Sequence, residues 1–255
     1  MGTARSLKNL RDVFAMETVF HEKQEGQLCA KHCLNALLQA PYFTEFDLAT
    51  IAEQIDAEEK SQMAEGGENN IEYLQFVARP SENLDDSGYF SVQVIERALK
   101  VWGLDLIPFN SKNEVAEKAR QDPTSRKAYI CNYRDHWFTI RKIGQQWFNL
   151  NSLLEGPELI SDTYLLLFLS QLQQEGYSIF VISGILPACK SDDVLSHTMV
   201  TQTEKPKLIL KLKKSVIGNP ETSNDLETAI ALSLETKAED ERKQLEAAIA
   251  LSLQM

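Results

Sequence analysis

The sequence has few cysteines and no long apolar run. Its longest apolar stretch, residues 164–169, is far shorter than the roughly 18 residues that a membrane-spanning helix needs. Four cysteines are too few for a disulfide scaffold, and no signal-peptide apolar region precedes the body of the chain. We therefore expect a soluble protein of the nucleus and cytoplasm, in which reduced thiols are available for chemistry.

Positive charge is also scarce. The 26 Lys and Arg residues stand against 37 Asp and Glu residues, which gives a net charge of −11. The whole excess lies on residues 16–189, because the small charges of the two ends cancel. Such an acidic body repels nucleic acid and anionic lipid and attracts a basic protein partner, although acidic side chains also simply aid solubility. We expect neither nucleic acid nor a membrane as a partner.

The N-terminal residues 1–15 show no sustained periodicity and predict an extension to the body of the chain. Gly2 and Ser6 match the pattern for N-myristoylation. The pattern is short, and a single acyl chain anchors only marginally, so acylation remains an alternative. A start of translation at Met16 is another alternative.

The first half of the body predicts helices. Residues 28–39 carry apolar side chains at helical spacing. Thr44 and Asp47 predict a capping box for a second helix, and Ser91 predicts the cap of a third. The polar residues 58–70, between the second and third helices, predict an exposed arm or loop.

The second half of the body predicts strands. The predicted strands are residues 104–109, 128–133, 136–143, 146–150 and 177–183. A helix capped by Ser161 and closed by Gly176 interrupts them. Helices followed by a mostly antiparallel sheet indicate an α+β fold rather than an alternating α/β one.

The C-terminal part of the chain predicts a flexible linker over residues 190–223, with room for one short element, and a repeat behind it. Residues 226–235 read LETAIALSLE and residues 245–254 read LEAAIALSLQ, with eight identities in ten positions at a period of 19. We therefore predict two short helices, one over residues 224–236 and the other over residues 239–255.

Among the cysteines, Cys29 is the best candidate for a nucleophile. In the first turn of a helix it meets unpaired N–H groups and the positive end of the helix dipole, which stabilise a thiolate. The other three lie in less activating places: Cys33 deeper in the helix, Cys131 in an apolar strand and Cys189 before the linker. A zinc site of Cys29, Cys33, Cys131 and His136 is the alternative, but their spacing disfavours it. We therefore expect no metal and no other cofactor.

His136 and Asn151 are the predicted partners of Cys29. A two-residue turn at Ile143 and Gly144 would place His136 opposite Asn151 on one face of a hairpin. Asn151 could then orient the imidazole through a hydrogen bond while His136 forms an ion pair with the Cys29 thiolate. A purely structural histidine is the alternative.

Gln24 completes the candidate set, because it lies five residues before Cys29. Acyl transfer through a thiolate generates an oxyanion, and a side-chain amide beside the backbone N–H of the nucleophile is a usual donor pair. Without this offset to Cys29, a glutamine in such a polar segment would be assigned to the surface.

Long stretches of the sequence closely resemble the Josephin domain of ataxin-3-type deubiquitinases. The stretches are FHEKQEGQLCAKHCLNALLQ, MAEGG, DDSGYFSVQVIERALKVWGL, ICNYRDHWFTIRK and QWFNLNSLLEGPELISDTYL. The resemblance covers residues 16–189 and implies a papain-like cysteine isopeptidase that cleaves after the C-terminal glycine of ubiquitin. It implies that Cys29 is the nucleophile, His136 the general base, Asn151 its orienting residue and Gln24 part of the oxyanion hole. It also implies a mobile helical arm over the site, between the first and third helices.

The resemblance extends to surfaces that contact ubiquitin. The matching positions on the body are Tyr42 and Phe43 and, separately, Val92, Gln93 and Trp102, with Val92 in place of the more usual isoleucine. The repeat in the tail resembles ubiquitin-interacting motifs, which are short helices with a central alanine and a serine one turn on. The matching residues are Leu226, Ala229, Leu232 and Ser233, then Leu245, Ala248, Leu251 and Ser252. Two amphipathic helices that pack on each other are the alternative.

These observations together predict a deubiquitinating cysteine isopeptidase with a tandem ubiquitin-binding tail that favours chains. The expected partners are ubiquitin, polyubiquitin chains and ubiquitinated proteins. A non-catalytic ubiquitin-chain receptor is the main alternative, and the intact set of Gln24, Cys29, His136 and Asn151 argues against it. A thiol acyltransferase acting on another substrate would use the same chemistry, and only the tail and the resemblance disfavour it.

Overall fold

Residues 11–67, 69–133 and 135–209 are described by the computed structural model. The helices of this part are α1 (residues 11–17), α2 (Cys29–Leu38), α3 (Glu45–Ala64), α4 (Ile71–Val77), α5 (Val92–Lys100), α6 (Glu114–Gln121), α7 (Asp162–Gln174) and α8 (Lys190–His197). The strands are β1 (Asp105–Pro108), β2 (Ala128–Tyr133), β3 (His136–Ile143), β4 (Gln146–Leu150), β5 (Glu158–Ile160) and β6 (Ser178–Ser183). No helix within these ranges is long and apolar enough to cross a membrane.

The strands form one antiparallel sheet in the order β1-β6-β2-β3-β4-β5. Helices cover both faces of its central strands, which explains why β2 reads as a nearly continuous apolar run. Ala128 and Ile130 pack with α2, α3 and α5 on one face, whereas Tyr129 and Cys131 pack with α6 and α7 on the other. The predicted α+β fold is confirmed.

Helix α2 lies in the interior of the first compact unit, residues 1–207, as far as this unit is described. Nine of its ten residues are buried, so the helix is surrounded by the fold on nearly every side. It ends at Gln39, which has a left-handed backbone with φ of 62°. The Gln39 amide donates to the carbonyl oxygens of Ala36 and Phe20 at 2.8 and 3.2 Å, and these bonds offset the strain of that conformation. The catalytic candidate Cys29 therefore stands on a rigid element.

Helix α3 begins with the predicted capping box and extends further than expected. The Thr44 hydroxyl accepts from the Asp47 N–H, and the Asp47 carboxylate accepts from the Thr44 N–H. The helix continues to Ala64, so the exposed segment predicted over residues 58–70 is largely a helical arm rather than a loop. Arg97 of α5 donates two hydrogen bonds to Glu58, at 2.9 and 2.7 Å, and fastens this arm to the body.

The structure differs from the flexible linker predicted over residues 190–223. Lys190–His197 form α8, whose Leu195 is fully buried, and Val200 behind it is buried too. The first compact unit of the chain ends at Lys207. The linker prediction rested on few aromatic residues, two prolines and a basic run, and it allowed one short element. Helix α8 is held by the burial of Leu195 and by hydrogen bonds from Arg141 and Gly144 to Asp192.

The N-terminal extension predicted over residues 1–15 also differs in its described part. Residues 11–17 are helical, and Asp12 and Ala15 are buried. The Asp12 carboxylate accepts hydrogen bonds from the hydroxyl and the N–H of Thr201. Helix α1 is therefore part of the body.

Several predicted features lie outside the described residues. They are Gly2 and Ser6, the remainder of the predicted linker beyond residue 209 and both predicted helices of the repeat.

Candidate active site

Cys29 is the first residue of α2 and thus lies in the first turn of the helix, where the sequence predicted it. No side chain caps this helix, so the N–H groups of its first turn and the positive end of its dipole act directly on the thiol. The residue is buried, and its Sγ lies 3.5 Å from the carbonyl oxygen of Asp135. Because Asp135 precedes His136, this contact brings the thiol beside the start of β3.

His136 and Asn151 form a hydrogen bond of 2.9 Å between Nε2 and Oδ1. The backbone N–H of Leu153 donates to the same Asn151 oxygen at 3.0 Å, which fixes which end of the amide faces the ring. A backbone N–H can only donate, so the facing atom is an oxygen and His136 must carry its hydrogen on Nε2. This tautomer leaves Nδ1 of His136 with a lone pair that can accept a proton.

The hairpin that carries this pair has a different register from the predicted one. Ile143 pairs with Gln146, so the turn consists of Gly144 and Gln145 rather than Ile143 and Gly144. Gly144 has φ of 58°, and a Cβ there would lie 2.3 Å from the backbone of Leu195 in α8. The register is thus shifted by two residues. An even shift keeps side chains on the same face, so the two functional residues still meet, as diagonal rather than direct neighbours.

The environment of His136 favours a neutral imidazole. Burial lowers its pKa from the ordinary value to about 4. The hydrogen bond to Asn151 opposes this shift, because it stabilises the protonated ring, but it does not outweigh burial. At neutral pH the imidazole is therefore in the form that can act as a base.

Gln24 lies on the loop before α2 and is bound to the end of β4. Its backbone N–H donates to the Ser152 carbonyl oxygen at 2.8 Å, and the Ser152 hydroxyl donates to its Oε1 at 2.6 Å. Its Nε2 donates to the carbonyl oxygen of Gly26 at 2.8 Å. The amide has a second N–H, which can serve an oxyanion. Ser152 was not predicted, and its position beside Asn151 was the only signal in the sequence.

The other cysteines lie in environments that disfavour a thiolate. Burial raises the pKa of Cys33 to about 12, although its Sγ lies 3.1 Å from the Thr139 hydroxyl. Burial also raises the pKa of Cys131 and of the half-buried Cys189. Among the residues that the structure describes, no three His, Cys, Asp or Glu side chains are grouped so that they could hold a metal ion.

The two predicted ubiquitin-contacting surfaces of the body lie next to each other. The rings of Tyr42 and Trp102 are in contact, with centroids 4.5 Å apart. Val92 is 41% exposed, and Gln93 donates a hydrogen bond to Glu59 at 2.9 Å. Phe43 differs from the prediction, because it is only 8% exposed and packs in the core.

The tail positions Leu226, Ala229, Leu232, Ser233, Leu245, Ala248, Leu251 and Ser252 lie outside the described residues.

Comparisons with known proteins agree on one family. The family model described as Josephin matches residues 24–183. The chain is 52% identical to ataxin-3 of Gallus gallus, over 94% of this chain and 72% of that protein. It is 61% identical to ataxin-3 of Homo sapiens, over 76% of this chain and 53% of that protein. It is 39% identical to the ataxin-3 homolog of Caenorhabditis elegans, over 93% of this chain and 80% of that protein. The aligned part thus spans between about half and four fifths of these relatives.

Proposed function

The chain belongs to the Josephin family, a ubiquitin-related protease family, and on this premise we propose that it is a deubiquitinating cysteine isopeptidase. The observation that carries the proposal is the hydrogen-bonded pair of His136 and Asn151 beside Cys29 at the uncapped start of a helix. A nucleophile, a base and an orienting group in this order constitute a thiol-dependent hydrolytic site. The reduced thiol also fits a protein of the nucleus and cytoplasm.

In the proposed reaction, Nδ1 of His136 accepts the proton of the Cys29 thiol. The thiolate attacks the carbonyl carbon of the last glycine of ubiquitin, and the resulting oxyanion accepts hydrogen bonds from the Cys29 N–H and Gln24 Nε2. The imidazolium then gives its proton to the leaving lysine amine, and a thioester remains. Water, deprotonated by His136, hydrolyses the thioester and regenerates the thiol. Asn151 holds the ring throughout.

The substrate is held, in this proposal, by the body and by the tail. Tyr42, Trp102 and Val92 give the body an exposed apolar surface of the kind that protein partners bind. The two repeats in the tail are 19 residues apart, which on one continuous helix is about 100° past five full turns. On such a helix the two alanine faces would point in different directions, so we propose that two ubiquitin units dock separately. The tail thereby favours polyubiquitin chains and ubiquitinated proteins by raising the effective concentration at the second repeat.

Hydrolysis assays on the full chain test this function. Wild type should release a fluorophore from the C-terminus of ubiquitin and cleave polyubiquitin, whereas Cys29→Ala should do neither and still bind chains. Binding of chains without hydrolysis by wild type would instead indicate a non-catalytic receptor. Cleavage of other acyl substrates at the expense of ubiquitin would indicate a different thiol acyltransferase.

A further inference from the structure

A buried histidine, His32, lies one turn after Cys29 on α2 and has no role in the reaction above. Its Nδ1 is 2.6 Å from Oε2 of Glu22, and its Nε2 is 3.3 Å from the backbone nitrogen of Glu25. Glu22 and Glu25 flank Gln24 in the sequence. His32 therefore contacts the oxyanion loop, defined here as residues 22–25, on both sides of the proposed donor.

The contacts of His32 fix its tautomer. The Glu25 N–H can only donate, so Nε2 of His32 is an acceptor and the ring hydrogen lies on Nδ1, where it is donated to Glu22. The other oxygen of the Glu22 carboxylate accepts from the Asn35 amide at 3.2 Å. Asn35 is itself fixed by two hydrogen bonds to the backbone of Phe43. Both oxygens of Glu22 are thus bound to side chains of α2.

We propose that His32 and Glu22 are positioning residues that hold the oxyanion loop, and with it Gln24, against the start of α2. The inference rests on the proposed function, because it assigns the pair a role through Gln24. Ser152 fixes Gln24 from the side of the sheet, and the pair of His32 and Glu22 fixes the loop from the side of the helix. The first anchor holds the Gln24 amide itself, and the second holds its loop against the helix that begins with Cys29.

The pair should affect acyl transfer without affecting the thiol itself. Attack on a carbonyl places negative charge on its oxygen, and this charge needs the Gln24 amide. Alkylation of Cys29 by iodoacetamide displaces iodide and forms no such oxyanion. A residue that acts through Gln24 therefore changes turnover and leaves alkylation unchanged, whereas a residue that merely supports the fold around Cys29 changes both.

Glu22→Gln is the variant of choice. An amide offers a single oxygen, so it accepts from His32 or from Asn35 but turns its own N–H toward the other donor. We expect kcat for a ubiquitin–fluorophore amide to fall about 10-fold to 100-fold, the usual effect of displacing a catalytic group by a fraction of an ångström to 1 Å. KM and the alkylation rate of Cys29, followed by mass spectrometry, should stay within about twofold of wild type.

A double-mutant cycle shows whether the effect passes through Gln24. In a Gln24→Ala background, Glu22→Gln should lower kcat by less than about twofold, because the group that it positions is already absent. Glu17→Gln is the matched control, because its exposed side chain lies outside the oxyanion loop and the substitution makes the same exchange of a carboxylate for an amide. We expect wild-type kcat for Glu17→Gln.

Several outcomes would overturn the inference. Unchanged kcat in Glu22→Gln, an equal fall in the Gln24→Ala background, or a parallel loss of alkylation would each show that the pair does not act through Gln24. If Glu22→Gln is poorly folded by thermal unfolding, His32→Asn repeats the test, since it keeps a donor for Glu22 and loses the acceptor for Glu25. A wild-type chain with no turnover would refute the proposed function instead.

Discussion

The contact that fastens α8 to the sheet provides a strong test of the C-terminal part of the fold. The guanidinium of Arg141 in β3 is only 1% exposed and donates to the Asp192 carboxylate at 2.9 Å and to the carbonyl oxygen of Leu37. The second carboxylate oxygen of Asp192 accepts from the Gly144 N–H at 2.9 Å. Asp192→Asn keeps the shape of the side chain and removes the charge that faces the buried cation.

The expected cost follows from the burial of the two partners. Removing one partner of a fully buried ion pair costs about 3–5 kcal/mol, because the other charge is left uncompensated. The Asp192 side chain is 36% exposed, so water screens part of its interaction with Arg141. We therefore expect Asp192→Asn to lower the free energy of unfolding by about 1–3 kcal/mol. The new amide also turns an N–H toward either Arg141 or Gly144, both of which donate.

Urea denaturation at pH 7 measures this difference, and Asp193→Asn is the matched control. Asp193 lies in the same first turn of α8 but is exposed, so its substitution should cost at most about 0.5 kcal/mol through the helix dipole. Equal stability of the two variants would refute the packing of α8 through Asp192.

The pH dependence gives a second check on the same contact. Burial disfavours the Asp192 carboxylate, but the Gly144 N–H, the Cys189 thiol and Arg141 outweigh burial and hold its pKa below the ordinary value. The stabilisation is therefore complete above about pH 4 and is lost as pH falls through the lowered pKa. The stability difference between wild type and Asp192→Asn should shrink below about pH 4. A constant difference down to pH 2 would contradict the assignment.

Further predictions concern the proposed reaction and the tail. His136→Ala should abolish hydrolysis, whereas Asn151→Ala should slow kcat by up to about 10-fold, the worth of one hydrogen bond; equal losses would contradict the orienting role. Gln24→Ala should lower kcat about 100-fold to 1,000-fold with unchanged thermal unfolding, as removal of an oxyanion donor does. Because the pKa of His136 is lowered to about 4, kcat/KM should stay high at pH 5–6 and fall only near pH 4; a fall near pH 6.5 would contradict a buried, neutral base. Replacing Ala229 and Ala248 by arginine should weaken binding of polyubiquitin in calorimetric titrations and leave turnover of a monoubiquitin substrate unchanged; unchanged binding would favour helices that pack on each other.

The sequence predicts the central strands closely. Strands β2, β3 and β4 begin and end at the predicted residues, because their apolar and aromatic runs are bounded by polar turns. The sequence analysis did not predict the three-residue strand β5, because the strand begins with Glu158 and a charged residue is typical of a loop. Glu158 is tolerated there because Asn149 and Lys205 both bind its carboxylate. These contacts join residues that are distant in the sequence, so no local sequence pattern predicts them.

The sequence indicated which candidate residues lie together, but not the contacts that fix them. The alternation of strand residues brings His136 and Asn151 to one face even though the turn lies one residue further along the chain and the cross-strand register is shifted by two. The contacts of Ser152 and Glu22 could not be predicted, because each depends on which hydrogen-bonding atom faces it across the fold. For the same reason, the sequence did not show that Asp192 binds α8 to Arg141 and Gly144.

The most direct test of the central claim is the reaction of the chain with ubiquitin that carries a C-terminal electrophile. Mass spectrometry of the digested adduct should find ubiquitin on Cys29 and on none of the other three cysteines, because only Cys29 combines an uncapped helix start with a hydrogen-bonded histidine. Cys29→Ala should give no adduct. An adduct on Cys33, Cys131 or Cys189, or labelling that survives Cys29→Ala, would contradict the account.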